Sequence, residues 1–205
     1  LLTWHFIAPN VHDFAWGADP EYIHDKIMGE NETELHFFYK NKKENLENWK
    51  KMQPKTAELL AYFNKNVGQY PYKQYSVIQG GDGGMEYAMC TLILGEGSYE
   101  GLIGVIAHEM AHSWFQHVLA TNESKHAWMD EGFNTFINSL SSHDFNNGEY
   151  KEEKADLHRD SELYTNPALE TMMSSPDNMK EANIGTLCYS KPGAGLVMLR
   201  EHILG

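Results

Sequence analysis

The sequence predicts an α+β fold in which short strands come first and a mainly helical lobe follows. Three observations carry this. Aromatic and β-branched runs, broken by Pro, Asn and Gly, fill the first 40 residues and return at residues 75–94. Apolar residues at three- and four-residue steps mark a helix at about residues 46–66 and more helices beyond residue 98. A His-Glu-x-x-His segment, His108 to His112, lies in the most apolar of these helices, and Glu131 follows it.

Taken in order, Trp4–Ala8 and Leu35–Tyr39 read as strands. His5, His12, His24 and His36 fall in this region and are read as structural. Asn41 to Asn45 is a polar hinge and an expected domain boundary. Leu46, Trp49, Met52, Leu59, Leu60 and Phe63 then keep a helical period, with Pro54 expected to interrupt it. Val67-Gly68 ends the helix, and Pro71 lies just beyond.

Tyr75–Gln79 is a short strand, and Gly80-Gly81-Asp82-Gly83-Gly84 a tight turn or loop. A glycine loop can cradle phosphate, but no Lys-Ser/Thr pair follows this one, which argues against a P-loop. Met85–Leu94 reads as one further strand. If it edges a cleft, a peptide could add to it by strand pairing. Glu86 sits at its start, where a solvated carboxylate is the plain alternative to a functional one.

Ser98 and Glu100 suit a helix start as cap and first-turn acid. Leu102, Ile103, Val105 and Ile106 wrap around much of that helix, so it should be buried, with Gly101 and Gly104 weakening it. His117 lies five residues beyond His112, points elsewhere and is read as structural. Thr121 to Lys125 is a polar loop that can fold a second helix, about Asp130 to Leu140, back on the first. Gly148 to His158 reads as a charged, exposed helix, residues 166–176 as a loop-rich section, and Gly195 to Leu204 as a last helix.

Composition bounds the function. The chain has 205 residues, 41 % hydrophobic and 12 % aromatic, enough for a core. Its net charge of −13, from 16 basic and 29 acidic residues, argues against nucleic acid. Cys90 and Cys188 make no disulfide framework and no Cys-x-x-Cys spacing, so they are read as buried thiols. No apolar run approaches the roughly 20 residues of a membrane span. The chain is expected to be soluble. Its compartment stays open, export of a parent protein to a periplasm or the medium included. The first residue is Leu1 and the chain closes on Ile203-Leu204-Gly205, so a fragment of a longer protein is expected.

The chemistry resides in the histidine pair. His108 and His112 are four residues apart, so a helix presents both imidazoles on one face. Two imidazoles and the Glu131 carboxylate suit one Zn²⁺ ion and leave a fourth position for water. Glu109 stands beside the pair, placed to take a proton from that water. At the depth of an apolar helix such polar groups need partners, and a metal would satisfy them.

The spacing His-Glu-x-x-His-x₁₈-Glu, with a Gly-Met-Glu segment upstream, resembles the aminopeptidase N family of zinc metallopeptidases, the gluzincins, to which leukotriene hydrolases also belong. Trp128-Met129-Asp130-Glu131-Gly132-Phe133 resembles that family's segment around the third ligand. Gly84-Met85-Glu86-Tyr87 resembles its Gly-x-Met-Glu-Asn exopeptidase motif, with Tyr87 in place of Asn. Tyr189 to Ala194 resembles its Tyr-x-Lys-Gly segment, with Pro192 before the glycine.

The resemblance implies a thermolysin-like catalytic domain, a small mixed sheet plus a mainly helical lobe, over residues 41–205 and truncated at its C-terminus. Residues 1–40 would be the tail of an N-terminal β-domain, and the parent's other domains would be missing. It further implies His108, His112 and Glu131 as zinc ligands and Glu109 as general base. Tyr189 would be the oxyanion donor and Glu86 the partner of a substrate's free amine. Gly83, Gly84 and Met85 would line the substrate cleft. The implied activity is zinc-dependent removal of N-terminal residues from peptides. Two alternatives stay open: a thermolysin-type endopeptidase, and an inactive or merely binding fragment.

Overall fold

The computed structural model describes residues 2–145 and 165–204. Its strands are β1 (Tyr22–Met28), β2 (Glu34–Lys40), β3 (Gln74–Gln79), β4 (Gly84–Tyr87) and β5 (Cys90–Ile93). They form one five-stranded sheet in the order β1-β2-β3-β5-β4. The sheet is mixed. β1 and β2 are antiparallel, β2 pairs parallel with β3 and β3 with β5, and β4 turns back antiparallel to β5. A parallel pair needs a crossover, and α1 (Lys43–Asn66) provides the one between β2 and β3. β2 and β3 lie on either side of residues 40/41 and share one sheet and one core.

Period-2 alternation drives β2. Leu35, Phe37 and Tyr39 point inward and are buried, and the residues between them are half-exposed. Facing them on α1 are Trp49, Met52, Leu59, Leu60 and Phe63, each at most 1 % exposed. α1 runs through Pro54 without a break. Pro54 and Lys50, the residue whose carbonyl loses its partner, are both exposed, so the unpaired carbonyl lies where solvent can reach it. The buried residues on the opposite face keep the axis continuous. Trp49 donates its indole N–H to the Gly95 carbonyl at 3.0 Å. Gly95 takes φ +72°, and a side chain there would run into the indole.

Two expectations for the strands fail. Trp4–Ala8 is not a strand, because it finds no pairing partner among the described residues. Trp4, Phe6 and Ile7 are 65–80 % exposed. β1 carries charge, with Asp25 and Lys26, and is a strand that its residue types do not announce. Met85–Leu94 is not one strand but a tight hairpin. Met89 makes the turn at φ +57°, which no Gly or Asn announces.

The helical lobe starts with α2 (Tyr99–Ala111), capped as expected. The Ser98 hydroxyl accepts from the Gly101 amide at 3.1 Å. Leu102, Ile103, Ile106, Ala107, Met110 and Ala111 are buried against α1, the sheet and α4 (Phe133–Phe145). Beyond Ala111 the chain loosens into a wide helical turn, Ser113–Val118, broken at Phe115. The expected loop at residues 121–125 is mostly a short helix, α3 (Glu123–Ala127). A second wide turn, Trp128–Gly132, leads into α4. The lobe closes with α5 (Glu181–Ile184), a wide turn Gly185–Ser190, and α6 (Lys191–Met198), which begins four residues before the expected Gly195. The helix expected at Gly148 to His158 lies outside the described residues. No helix among the described residues is long and apolar enough to cross a membrane.

Candidate metal centre and catalytic cleft

α2 delivers His108 and His112 one turn apart on the face it turns toward α4. Asn134, fully buried on α4, donates to the His108 carbonyl at 2.9 Å and ties the two helices at that level. The turn Trp128–Gly132 then brings in Glu131. His108 Nε2 and His112 Nε2 are 3.3 Å apart, and Glu131 Oε2 is 3.3 Å from each. Three donors on a tetrahedral ion with bonds of about 2.0–2.1 Å stand roughly 3.3–3.4 Å apart. The triangle in the protein therefore has the dimensions of a zinc site. Glu131 Oε2 is buried without a hydrogen-bond partner, as a donor reserved for a cation would be.

The surroundings orient these donors. His112 Nδ1 lies 2.7 Å from Asp130 Oδ1 and 2.9 Å from the Phe115 carbonyl. That carbonyl is turned inward by the break in the helix at Phe115. A histidine whose second nitrogen is held this way has its ring plane fixed. Asp130 is 3 % exposed and was not singled out from sequence, although an acid next to a ligand carboxylate was visible there. Tyr189, in the turn Gly185–Ser190, donates its hydroxyl to Glu131 Oε1 at 2.7 Å.

Four carboxylates, Glu86, Glu109, Asp130 and Glu131, gather around His108 and His112. Burial and this crowding set Glu109, Asp130 and Glu131 apart in acidity. Burial raises the Glu109 pKa to about 8, His112 opposing it and the neighbouring acids adding to it. Burial also raises Asp130, to about 6, against the pull of His112. Glu131 faces the same burial, but the His108 and His112 rings beside it and the Tyr189 hydroxyl bring it down to about 2. So much buried negative charge is costly unless a cation shares the space.

Among the described residues β4 is the terminal strand of the sheet, with one edge free of strand partners. Glu86 is buried on it, within reach of Glu109, His112, Asp130 and Glu131. Met85 is half-buried, and Gly83 is exposed with open space around it. Gly84 is different. A Cβ there would overlap Glu109 Oε1 and lie 3.2 Å from Val105 Cγ1, so the glycine is what lets the Glu109 carboxylate lie against the strand. Pro192 is the second residue of α6, directly after the wide turn Gly185–Ser190. Its ring packs where a side chain on Gly132 would otherwise stand. His117, read as structural, donates through Nε2 to the Glu86 carbonyl at 2.7 Å.

The sequence matches the Peptidase family M1 domain over residues 51–205. The chain belongs to peptidase family M1. Among curated M1-like relatives it is 30 % identical over 118 residues to Aminopeptidase Ey of Gallus gallus, covering 52 % of this chain and 12 % of that protein. It is 31 % identical over 91 residues to Leucine aminopeptidase 2 of Sclerotinia sclerotiorum, covering 40 % of this chain and 14 % of that protein. The matched stretch thus spans about an eighth of these relatives. A solved M1 zinc metallopeptidase from Deinococcus radiodurans superposes with a TM-score of 0.63 at 18 % identity, over 89 % of this chain and 41 % of that one. The α+β fold, small mixed sheet plus helices, is that of an M1 metallopeptidase domain.

Proposed function

We propose that this chain is the zinc-binding core of an M1 aminopeptidase, with its metal held by His108, His112 and Glu131. The observation that carries the reading is the triangle of three donor atoms with 3.3 Å sides and an unpartnered Glu131 oxygen at one corner. A zinc ion held there supplies Lewis-acid polarisation of a carbonyl and acidifies water. Everything else is the work of the chain's own groups.

Glu109 is the general base. A dication nearby favours its ionised form over the protonated one that burial imposes. It takes the proton of the attacking water and passes it to the departing amine. Tyr189 stays protonated, because burial and the Glu131 charge raise its hydroxyl well above the usual range, and it donates to the developing oxyanion. Glu86 receives the substrate's α-ammonium through a charge-assisted contact. The free edge of β4 at Gly84 and Met85, with Gly83 just before it, pairs with the peptide backbone.

Glu86→Ala should raise KM for free-amine substrates by tenfold or more and leave the weak hydrolysis of N-acetylated peptides unchanged. Equal loss on both would remove its amine role. Asp130→Asn should weaken zinc binding by about 10–100-fold in a chelator competition, as loss of an orienting partner does. Gly84→Ala should keep zinc and lower kcat by up to about 100-fold, because the new methyl displaces Glu109. Unaltered kcat in that variant would mean that the contact does not position the base.

The deciding experiment is zinc content by atomic absorption together with hydrolysis of an aminoacyl-anilide panel, set against casein. One equivalent of zinc that His108→Ala removes, with anilide turnover, upholds the reading whether or not the chain holds further zinc. Casein cleavage without anilide turnover points to an endopeptidase. Zinc without either activity points to a binding fragment of the parent enzyme.

A further inference from the structure

His117 has a buried ring with one nitrogen used and the other idle. The residue is 9 % exposed. Its Nε2 faces the Glu86 carbonyl at 2.7 Å, and a carbonyl only accepts, so the ring proton sits on Nε2. Nδ1 then carries a lone pair. It is buried and has no hydrogen-bond partner, an arrangement that folded proteins rarely leave without a reason.

Two further donors lie beside it. The His12 ring stacks on His117 with centroids 4.8 Å apart, and the Asp13 carboxylate is close to both. The three residues offer ligand atoms within 4.8 Å of one another. Asp13 Oδ1 accepts from the Ala88 amide at 3.0 Å, which holds the carboxylate and leaves its other oxygen available. An imidazole whose second nitrogen donates to a carbonyl and a carboxylate braced by an amide are the outer contacts that metal ligands carry.

We propose that His12, Asp13 and His117 form a second divalent-cation site, separate from His108, His112 and Glu131, which takes Zn²⁺ or another late first-row ion. Two imidazoles and one carboxylate are the donor set such ions prefer, with solvent completing the shell. The two ring planes are 13° from parallel, so their in-plane lone pairs do not converge. Closing the set takes a rotation of His12, which is exposed and free to turn. The bound ion fastens residues 12–13 to the loosened turn after α2. His117 reaches β4 through the Glu86 carbonyl and Asp13 reaches the adjoining Ala88 amide, so the ion braces the strand that carries Glu86.

The test uses the 205-residue chain stripped with a chelator, titrated with Zn²⁺ by calorimetry and assayed for retained metal after gel filtration. The wild type should bind two equivalents, His12→Ala/Asp13→Asn one, His108→Ala one, and the triple variant none. His12 is exposed, and Asn at position 13 keeps an acceptor for the Ala88 amide, so the fold should survive; far-ultraviolet circular dichroism checks this. Two equivalents that persist in His12→Ala/Asp13→Asn would overturn the site. So would a wild type that binds none, or only one that His108→Ala removes. One equivalent removed by His12→Ala/Asp13→Asn but not by His108→Ala would uphold this site and count against the catalytic triad of ligands.

Discussion

Glu109→Gln is expected to bind zinc normally and to lose about 10²–10⁴-fold in turnover of an aminoacyl anilide, the usual contribution of a positioned base. Gln keeps the size of the side chain but cannot take a proton. It also fits the contact with Gly84, so the strand should not move. Turnover near that of the wild type would withdraw the base assignment.

The same variant has a second readout in the metal-free protein. Burial holds Glu109 at about pKa 8, against an ordinary value of 4.5, so the folded state carries an extra proton between those limits. That contribution to stability is complete below about pH 4.5 and is lost as pH rises through 8. Metal-free wild type should therefore lose stability from pH 6 to 9 by an amount on the order of a few kcal/mol that Glu109→Gln does not lose. Parallel melting curves over that range for the two proteins would contradict the burial of an ionisable group there.

Tyr189→Phe is expected to lower kcat by about 10²–10³-fold, or about 2.7–4 kcal/mol of barrier, with little change in KM. The hydroxyl also donates to Glu131 Oε1 at 2.7 Å, so the variant removes a brace from a candidate zinc ligand as well. Measuring zinc content alongside kcat separates the two. Full zinc occupancy with low kcat supports oxyanion donation. A kcat loss that zinc excess restores would assign Tyr189 to orienting Glu131 instead.

How much of this was legible in the chain depends on how local each feature is. α2 and its cap at Ser98 follow from a few neighbouring residues, as does the shared face of His108 and His112. Pro54 was expected to interrupt α1, yet the helix continues with one bond missing, because its buried face is held by partners far away in sequence. The strand expected at Trp4–Ala8 had the right residue types and no neighbour to pair with, whereas β1 had unpromising types and β2 beside it. Strand propensity describes fitness for a sheet position and cannot say whether a position exists. The turn at Met89 was invisible because a residue with no turn preference is held at positive φ by the pairing on both sides.

By itself the sequence determined the α+β class, the buried helix and the residue types able to hold a divalent ion, since periodicity and i,i+4 spacing are properties of a single element. Only the tertiary structure decided that Glu131 Oε2 stands 3.3 Å from both imidazoles, that Asp130 and Phe115 hold His112, and that Gly84 makes room for Glu109. The same holds for the meeting of His117 with residues 12–13, more than a hundred positions earlier. Those distances depend on where the chain returns after each turn, which packing against the shared core settles and local preference does not.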